Sequence, residues 1–191
     1  MRTQFERESE ARHIAGYLRV NLGCGKDIRA GWINLDKAHL PGVDVCHDVR
    51  QLPLPFDSNS CDEVLCKDVL EHLEYVAVLR DIHRILRRGG HVTIQVPHFT
   101  SKDAYADPTH CKLFTTNTFR YFTEAHFRSY YFDFSFSILR ETHIHFDRRF
   151  AYFYNYFLEL FVNSAPVLQN FYEGSPLRIF PATNMTVVLE K

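Results

Sequence analysis

Two glycines at 23 and 25 and an aspartate at 36 close two short apolar runs in Leu18-Arg-Val-Asn-Leu-Gly-Cys-Gly-Lys-Asp-Ile-Arg-Ala-Gly-Trp-Ile-Asn-Leu-Asp36. A glycine turn after a strand lets backbone come close to a ligand, because no Cβ stands in the way. An acidic side chain ending the next strand can accept hydrogen bonds from both hydroxyls of a ribose. Together these residues describe a pocket for a nucleoside-bearing group. The spacing argues against a dinucleotide, whose pyrophosphate needs a third glycine opening a helix. Here Gly25 is followed by Lys26, Asp27 and Ile28, and Asp36 comes 11 residues after Gly25, too soon for a full crossover helix. A lone G-x-G is also compatible with a plain tight turn.

The following segment, Val43-Asp-Val-Cys-His-Asp-Val-Arg-Gln-Leu-Pro-Leu-Pro-Phe-Asp-Ser-Asn-Ser-Cys-Asp-Glu-Val-Leu-Cys-Lys-Asp-Val-Leu-Glu-His-Leu73, continues the pattern. With it the chain resembles the class I S-adenosylmethionine-dependent methyltransferases, in their broad small-molecule, type 11-like branch. The matching pieces are Asn21-Leu-Gly-Cys-Gly25, Gly31-Trp-Ile-Asn-Leu-Asp36, His47-Asp48 with Leu52-Pro53, Asp62-Glu-Val-Leu65, Val69-Leu-Glu-His-Leu73 and Arg84-Ile-Leu-Arg-Arg-Gly-Gly90. The ordered series covers residues 17–125 and is far more specific than any one motif. It implies a Rossmann-like, doubly wound α/β sheet of order 3-2-1-4-5-7-6 with the last strand antiparallel. It also implies S-adenosyl-L-methionine as cofactor, held beyond the carboxyl ends of the strands where their order reverses.

The resemblance assigns cofactor contacts residue by residue. Asn21, Gly23, Cys24 and Gly25 end the first strand, and the bare glycine backbone would pass the methionyl part. Asp36 would grip the ribose, its plain alternative being a loop carboxylate. Asp48 would stand near the adenine amino group, with the Val49 N–H facing a ring nitrogen; its alternative is a turn cap. Cys66 and Lys67 end the fourth strand, where backbone carbonyls meet the ammonium group. The chain departs from the family between Gly25 and Gly31, which is too short for the usual first crossover helix. Lys26 and Arg29 are then either cations for the methionyl carboxylate or exposed loop charges.

Methyl transfer to a hydroxyl or thiol also needs a proton removed, and imidazole suits that task near neutrality. Among the 11 histidines, His98 follows the expected fifth strand and His110 lies in Tyr105-Ala-Asp-Pro-Thr-His-Cys-Lys-Leu-Phe-Thr-Thr-Asn-Thr-Phe119. His143 and His145 share one face of the expected sixth strand because they are two apart. Three readings stay open. His110 is a general base oriented by Asp107, with His98 nearby; or a divalent metal sits among His98, His110, Asp107 and His143 or His145; or the histidines are structural. His72 borders the pocket or simply packs on a helix.

The elements that position these residues alternate. A polar helical arm is expected over 1–16, then strands near 17–22, 32–35, 43–46 and 62–66. A helix over 68–87 follows, ended by Gly89-Gly90 as a left-handed cap. Strands at 91–96, 134–144 and 185–189 and a capped helix start at Thr115 complete a mostly parallel sheet covered on both faces. At 191 residues the chain reads as a single methyltransferase domain, with 97–130 and 146–180 as acceptor-side lid or insert segments.

Composition narrows the partners. A net charge of −1, from 22 basic and 23 acidic residues, gives no global field for nucleic acid or anionic membrane. The start is charged and lacks the apolar core of a secretory signal, and no apolar run spans a bilayer. Five cysteines without C-x-x-C pairing suit reduced thiols in the cytoplasm. Residues 148–162, Arg-Arg-Phe-Ala-Tyr-Phe-Tyr-Asn-Tyr-Phe-Leu-Glu-Leu-Phe-Val, read as a helix apolar over most of its circumference. Core packing, a lid, an apolar-substrate pocket, a shallow membrane contact and a homodimer face through 150–162 all fit such a helix, the homodimer being favoured over the lid. The expected acceptor is a small or medium-sized molecule, with no nucleic acid and no stable membrane insertion. The competing class is a cofactor-binding module of the same fold whose acceptor site has decayed.

Overall fold

The computed structural model describes residues 16–149 and 152–191, so residues 1–15 of the expected N-terminal helical arm lie outside the described residues. Seven strands form one sheet: β1 (Arg19–Leu22), β2 (Ile33–Asp36), β3 (Val45–Cys46), β4 (Cys61–Lys67), β5 (Leu86–Pro97), β6 (Ile138–Phe146) and β7 (Ala182–Glu190). Their spatial order is β3-β2-β1-β4-β5-β7-β6, with β7 antiparallel to both neighbours. This is the order that the resemblance implied. One face of the central strands is continuously apolar: Val20, Leu22, Val64, Cys66, Val92, Ile94 and Val96 are completely buried and in register, while Asn21, Thr93 and Gln95 fall on the opposite face.

β1 passes to β2 through turns, with the Asp27 N–H donating to the Cys24 carbonyl at 2.8 Å and the Trp32 N–H to the Arg29 carbonyl at 3.2 Å. Side chains do the fastening that a crossover helix would do. Asn21 Nδ2 donates to the Asp27 carbonyl at 2.7 Å and to Asn34 Oδ1 at 3.2 Å. Asn34 Oδ1 also accepts from the Arg29 N–H at 2.9 Å, while its Nδ2 reaches the Arg29 carbonyl at 3.1 Å and Asp44 Oδ2 at 3.1 Å. Both asparagines are buried, so their polar atoms need these partners.

The helix expected over 68–87 is shorter and begins later. Asp68 takes φ +54, which no helix accommodates, and a one-turn 3-10 helix at Leu70–His72 precedes α1 (Tyr75–Ile85). Nor does Gly89-Gly90 cap it: α1 gives way at Leu86 to β5, and the Gly89 N–H donates to the Lys191 carbonyl at 2.8 Å. Val78, Leu79, Ile82 and Ile85 of α1 are buried in the main core. Against them pack Phe114, Phe119, Phe122, Phe134 and Phe136, with Tyr75 edge-on to Phe114 at 5.3 Å. Burying such a ring stabilises by about 1.5–3 kcal/mol, so this cluster anchors the segment after β5. Phe134 and Phe136 therefore precede β6 instead of starting it. The helix start expected at Thr115 is a 3-10 turn, Thr118–Phe122.

After α2 (Asp103–Ala106), the helical elements are α3 (Tyr154–Val162) and α4 (Pro166–Gly174). α4 is not among the expected elements, although Pro166 at its first position is a helix-start signal. A second core cluster joins Ile144, Phe146, Val162, Tyr172 and Ala182.

Candidate functional site

A cleft of about 420 Å³ opens beyond the carboxyl ends of β1, β2 and β4. Its floor is Gly23, at φ +67, where an added Cβ would stand 2.5 Å from Val69 Cγ2. One side is formed by Asp36, Lys37, Asp48, Val49 and Arg50, the other by Asp68, Val69, His72, Leu73 and Thr109. The Asp36 carboxylate accepts from the Gly25 N–H and the Ala38 N–H, both at 2.8 Å. A carboxylate has about four lone-pair sites, so two remain for ligand hydroxyls. Asp48 accepts from Arg50 Nη2 at 2.6 Å and Nε at 3.0 Å. These hydrogen bonds hold its carboxyl well below the usual range, at about 2.

Of the nine cofactor residues expected from sequence, the cleft is lined by Gly23, Asp36, Asp48 and Val49. The others do not line it. Asn21 is a fastener of the β1–β2 turn, and Gly25 offers its N–H to Asp36. Cys24 is buried, and burial pushes its thiol up to about 11. Cys66 is wholly buried and burial raises its thiol further, while Lys67 Nζ lies 3.9 Å from the Asp27 carboxylate. Lys37, Arg50, Asp68 and Thr109 line the cleft without having been singled out by sequence.

The expected catalytic residues separate. His98 is fully buried, its ring held by Thr100 at 2.8 Å and by Glu173 at 3.1 Å, and it does not line the cleft. Glu173 in turn accepts from the Thr116 N–H at 2.7 Å, so this group stitches α4 to the segment after β5. His143 and His145 belong to another cluster around Glu159 of α3, which Arg148 occupies at 2.7 Å and 3.0 Å. The metal set of His98, His110, Asp107 and His143 or His145 is therefore not assembled.

His110 has a different neighbour. Its ring lies edge-on to His72 with centroids 4.7 Å apart, and its Nδ1 faces the Ala104 carbonyl at 3.3 Å. Asp107 is 3.9 Å from His110 Nε2, beyond hydrogen-bond range, because Thr109 takes its carboxylate: Oδ1 accepts from Thr109 N at 2.8 Å and from Thr109 Oγ1 at 2.6 Å. Thr109 Oγ1 also meets His72 Nδ1 at 2.8 Å. The carboxylate–hydroxyl–imidazole relay thus ends on His72, which lines the cleft. Beneath it lies Glu71, whose burial pushes its carboxyl up to about 7. The spacing Asp68-x-x-Glu71-His72 carried the signal, but the same spacing also reads as one face of a helix.

Comparison with known proteins agrees with this architecture. Residues 11–94 match the family described as a methyltransferase domain. A stretch of 93 residues is 32% identical to an uncharacterized protein of Methanocaldococcus jannaschii, covering 42% of this chain and 40% of that relative. The chain therefore matches less than half of that relative's length. A SAM-dependent methyltransferase from Archaeoglobus fulgidus superposes with TM-score 0.55 at 18% identity, over 98% of this chain and 95% of that one. An S-adenosylmethionine-dependent methyltransferase from Mesorhizobium loti gives 0.55 at 16% identity, over 98% and 100%. At such identities the likeness is one of fold.

Proposed function

We propose, from the premise that this chain carries a class I S-adenosylmethionine-dependent methyltransferase domain, that it transfers a methyl group to a small or medium-sized acceptor. The observation that carries the reading is the cleft itself. Its glycine floor and its Asp36 carboxylate, with lone pairs to spare, meet at the reversal of strand order and fit a nucleoside whose tail carries no phosphate. Asp36 would take the ribose hydroxyls, Val49 N–H and Asp48 the adenine edge, and Gly23 the methionyl portion. S-adenosyl-L-methionine supplies an electrophilic methyl on a sulfonium. The chain's own task is to align the attacking atom, exclude water from the methyl and, for a hydroxyl or thiol acceptor, let its proton leave.

His72 and Thr109, with His110 edge-on behind His72, mark the side of the cleft where the acceptor and its proton would lie. His110 as a base oriented by Asp107 has little geometric support, since Thr109 holds Asp107 and points it toward His72. The test of the reading is calorimetric titration with S-adenosylmethionine, its demethylated product and NAD. Tighter binding of the first two is expected, and preference for NAD would reject it. A decayed module would bind the cofactor equally well and turn over no acceptor.

A second copy of the chain is the proposed cover for α3. Phe153, Phe157 and Phe161 fall four apart along one stripe, and Phe153 and Phe157 are 69% and 68% exposed. Contiguous apolar patches of this kind are rare on monomers. No cleft-lining residue comes from 146–180, which favours a homodimer face over a lid. No helix among the described residues is long and apolar enough to cross a membrane. All five cysteines are free, which suits a reducing, cytoplasmic setting.

A further inference from the structure

Glu71 is 1% exposed, and neither of its carboxylate oxygens has a hydrogen-bond partner. A buried carboxylate left without donors is costly, so a side chain held this way asks for a counter-charge. What faces it is imidazole. Glu71, His72 and His110 each bring a ligand atom within 4.8 Å of the others. The surroundings add negative charge, from Asp107 at 3.9 Å from His110 Nε2 and from Asp68 three residues before Glu71.

Hydrogen bonds settle which nitrogens are free. Thr109 Oγ1 donates its proton to Asp107, so toward His72 it accepts, and His72 Nδ1 carries a proton. The Ala104 carbonyl can only accept, so His110 Nδ1 carries one as well. Each ring keeps its Nε2 lone pair for a cation, held by an outer shell of the kind that orients metal-binding histidines. The cluster of His143, His145 and Glu159 lacks this character, because the Arg148 guanidinium already neutralises its carboxylate.

We propose that Glu71, His72 and His110 bind one divalent transition-metal cation, of the zinc or manganese type, at the acceptor side of the cleft. Two imidazoles and one carboxylate are a donor set for such ions and leave coordination positions open. His72 and Thr109 line the cleft, so the open positions adjoin the proposed cofactor site. This rests on the methyltransferase reading and deepens it, for the acceptor becomes an oxygen nucleophile. A hydroxyl held there loses its proton to solvent more readily, because the cation stabilises the alkoxide. Its oxygen pair then forms the new bond to the methyl carbon as the carbon–sulfur pair returns to sulfur, leaving a thioether and a methyl ether.

The test uses the full chain stripped with chelator and titrated with Zn²⁺ and, separately, Mn²⁺, with binding of the demethylated cofactor measured in parallel. One equivalent per chain is expected for wild type, weakened at least tenfold in Glu71→Gln and in His110→Ala and unchanged in His143→Ala. Cobalt(II) absorption of the wild-type protein gives a readout independent of how the variants fold, and ligand-field bands from a bound nitrogen–oxygen site are expected. No stoichiometric metal in wild type, or metal lost only in His143→Ala, would overturn the site while leaving cofactor binding intact. Failure to bind the cofactor would instead strike the methyltransferase reading.

Discussion

The Asp36 carboxylate accepts a hydrogen bond from the Gly25 N–H at 2.8 Å, so the end of β2 holds the glycine turn that follows β1. One side chain therefore shapes the floor of the cleft and keeps lone pairs free to accept further hydrogen bonds. Asp36→Ala is expected to weaken binding of S-adenosylmethionine or its product by about 1–3 kcal/mol, the usual loss for a charged hydrogen-bond partner. Calorimetry measures it, and an unchanged affinity would move the ribose contact elsewhere.

Gly23 is held by both its backbone and its surroundings. Gly23→Ala would place a methyl 2.5 Å from Val69 Cγ2 at φ +67. The left-handed backbone alone costs about 1–2 kcal/mol for an L residue, before Val69 moves. A lower denaturation midpoint together with loss of cofactor binding is expected. Wild-type affinity in this variant would show that the ligand does not pass over Gly23.

Asn34 is expected to matter for stability more than for contact with any ligand. It is 3% exposed and joins the Arg29 loop to Asp44. Asn34→Ala leaves several buried groups unpaired, and each such group costs about 1–3 kcal/mol. Urea unfolding is the measurement, and a midpoint equal to wild type would mean the turn is fastened by other means.

What the sequence revealed followed from what apolar patterning and the glycine turns encode. β1, β4 and β5 carry buried apolar residues at alternate positions, Gly23 and Asp36 were identifiable at the ends of two short apolar runs, and Asp48 through the family resemblance. The histidine wall was hidden for a physical reason. Leu70, Leu73 and Val76 keep a helical period across Leu73, whose extended backbone (φ −128, ψ 159) no period reveals, so Glu71 and His72 read as residues of one long helix. His98 misled in the opposite way: its position after β5 is right for a site, but Glu173 from α4, distant in sequence, claims it. Asp107 and His110, three apart, read as a pair, yet the intervening Thr109 takes the carboxylate.

Acid should loosen the attachment of α3 to β6. Burial pushes the Glu159 carboxyl up, but hydrogen bonds from Arg148, His143 and the Phe146 N–H outweigh it and hold it below the usual range. His143 and His145 from β6 and Arg148 after it are the charged or titratable groups that face it. A carboxylate depressed on folding stabilises fully above its unfolded value, about 4.3, and that stability fades as pH falls through the lower folded value. Wild type is therefore expected to lose stability between about pH 5 and pH 3 more steeply than Glu159→Gln. Parallel urea titrations across that range test it, and equal slopes would reject the assignment.

Phe157→Glu tests the face of α3. Light scattering at micromolar concentration is expected to show a dimer for wild type and a monomer for the variant. Burying an unpaired carboxylate in an apolar interface is strongly unfavourable. A wild-type monomer whose solubility is unaltered by the charge would remove the second copy from the picture.

The insertion of β7 between β5 and β6 bears on the order in which the molecule assembles. Within the sheet β6 pairs with β7 alone, yet β7 follows it only after α3 and α4. Until β7 arrives, β6 has no strand to join, and closing that long loop is an entropic cost met before any pairing rewards it. The half of the sheet from β1 to β5 can collapse around α1 first, with the outer strands added together in one late, cooperative step. Substitutions in β7 should then slow the completion of folding, whereas those on the sheet-facing side of α1 should act from its beginning.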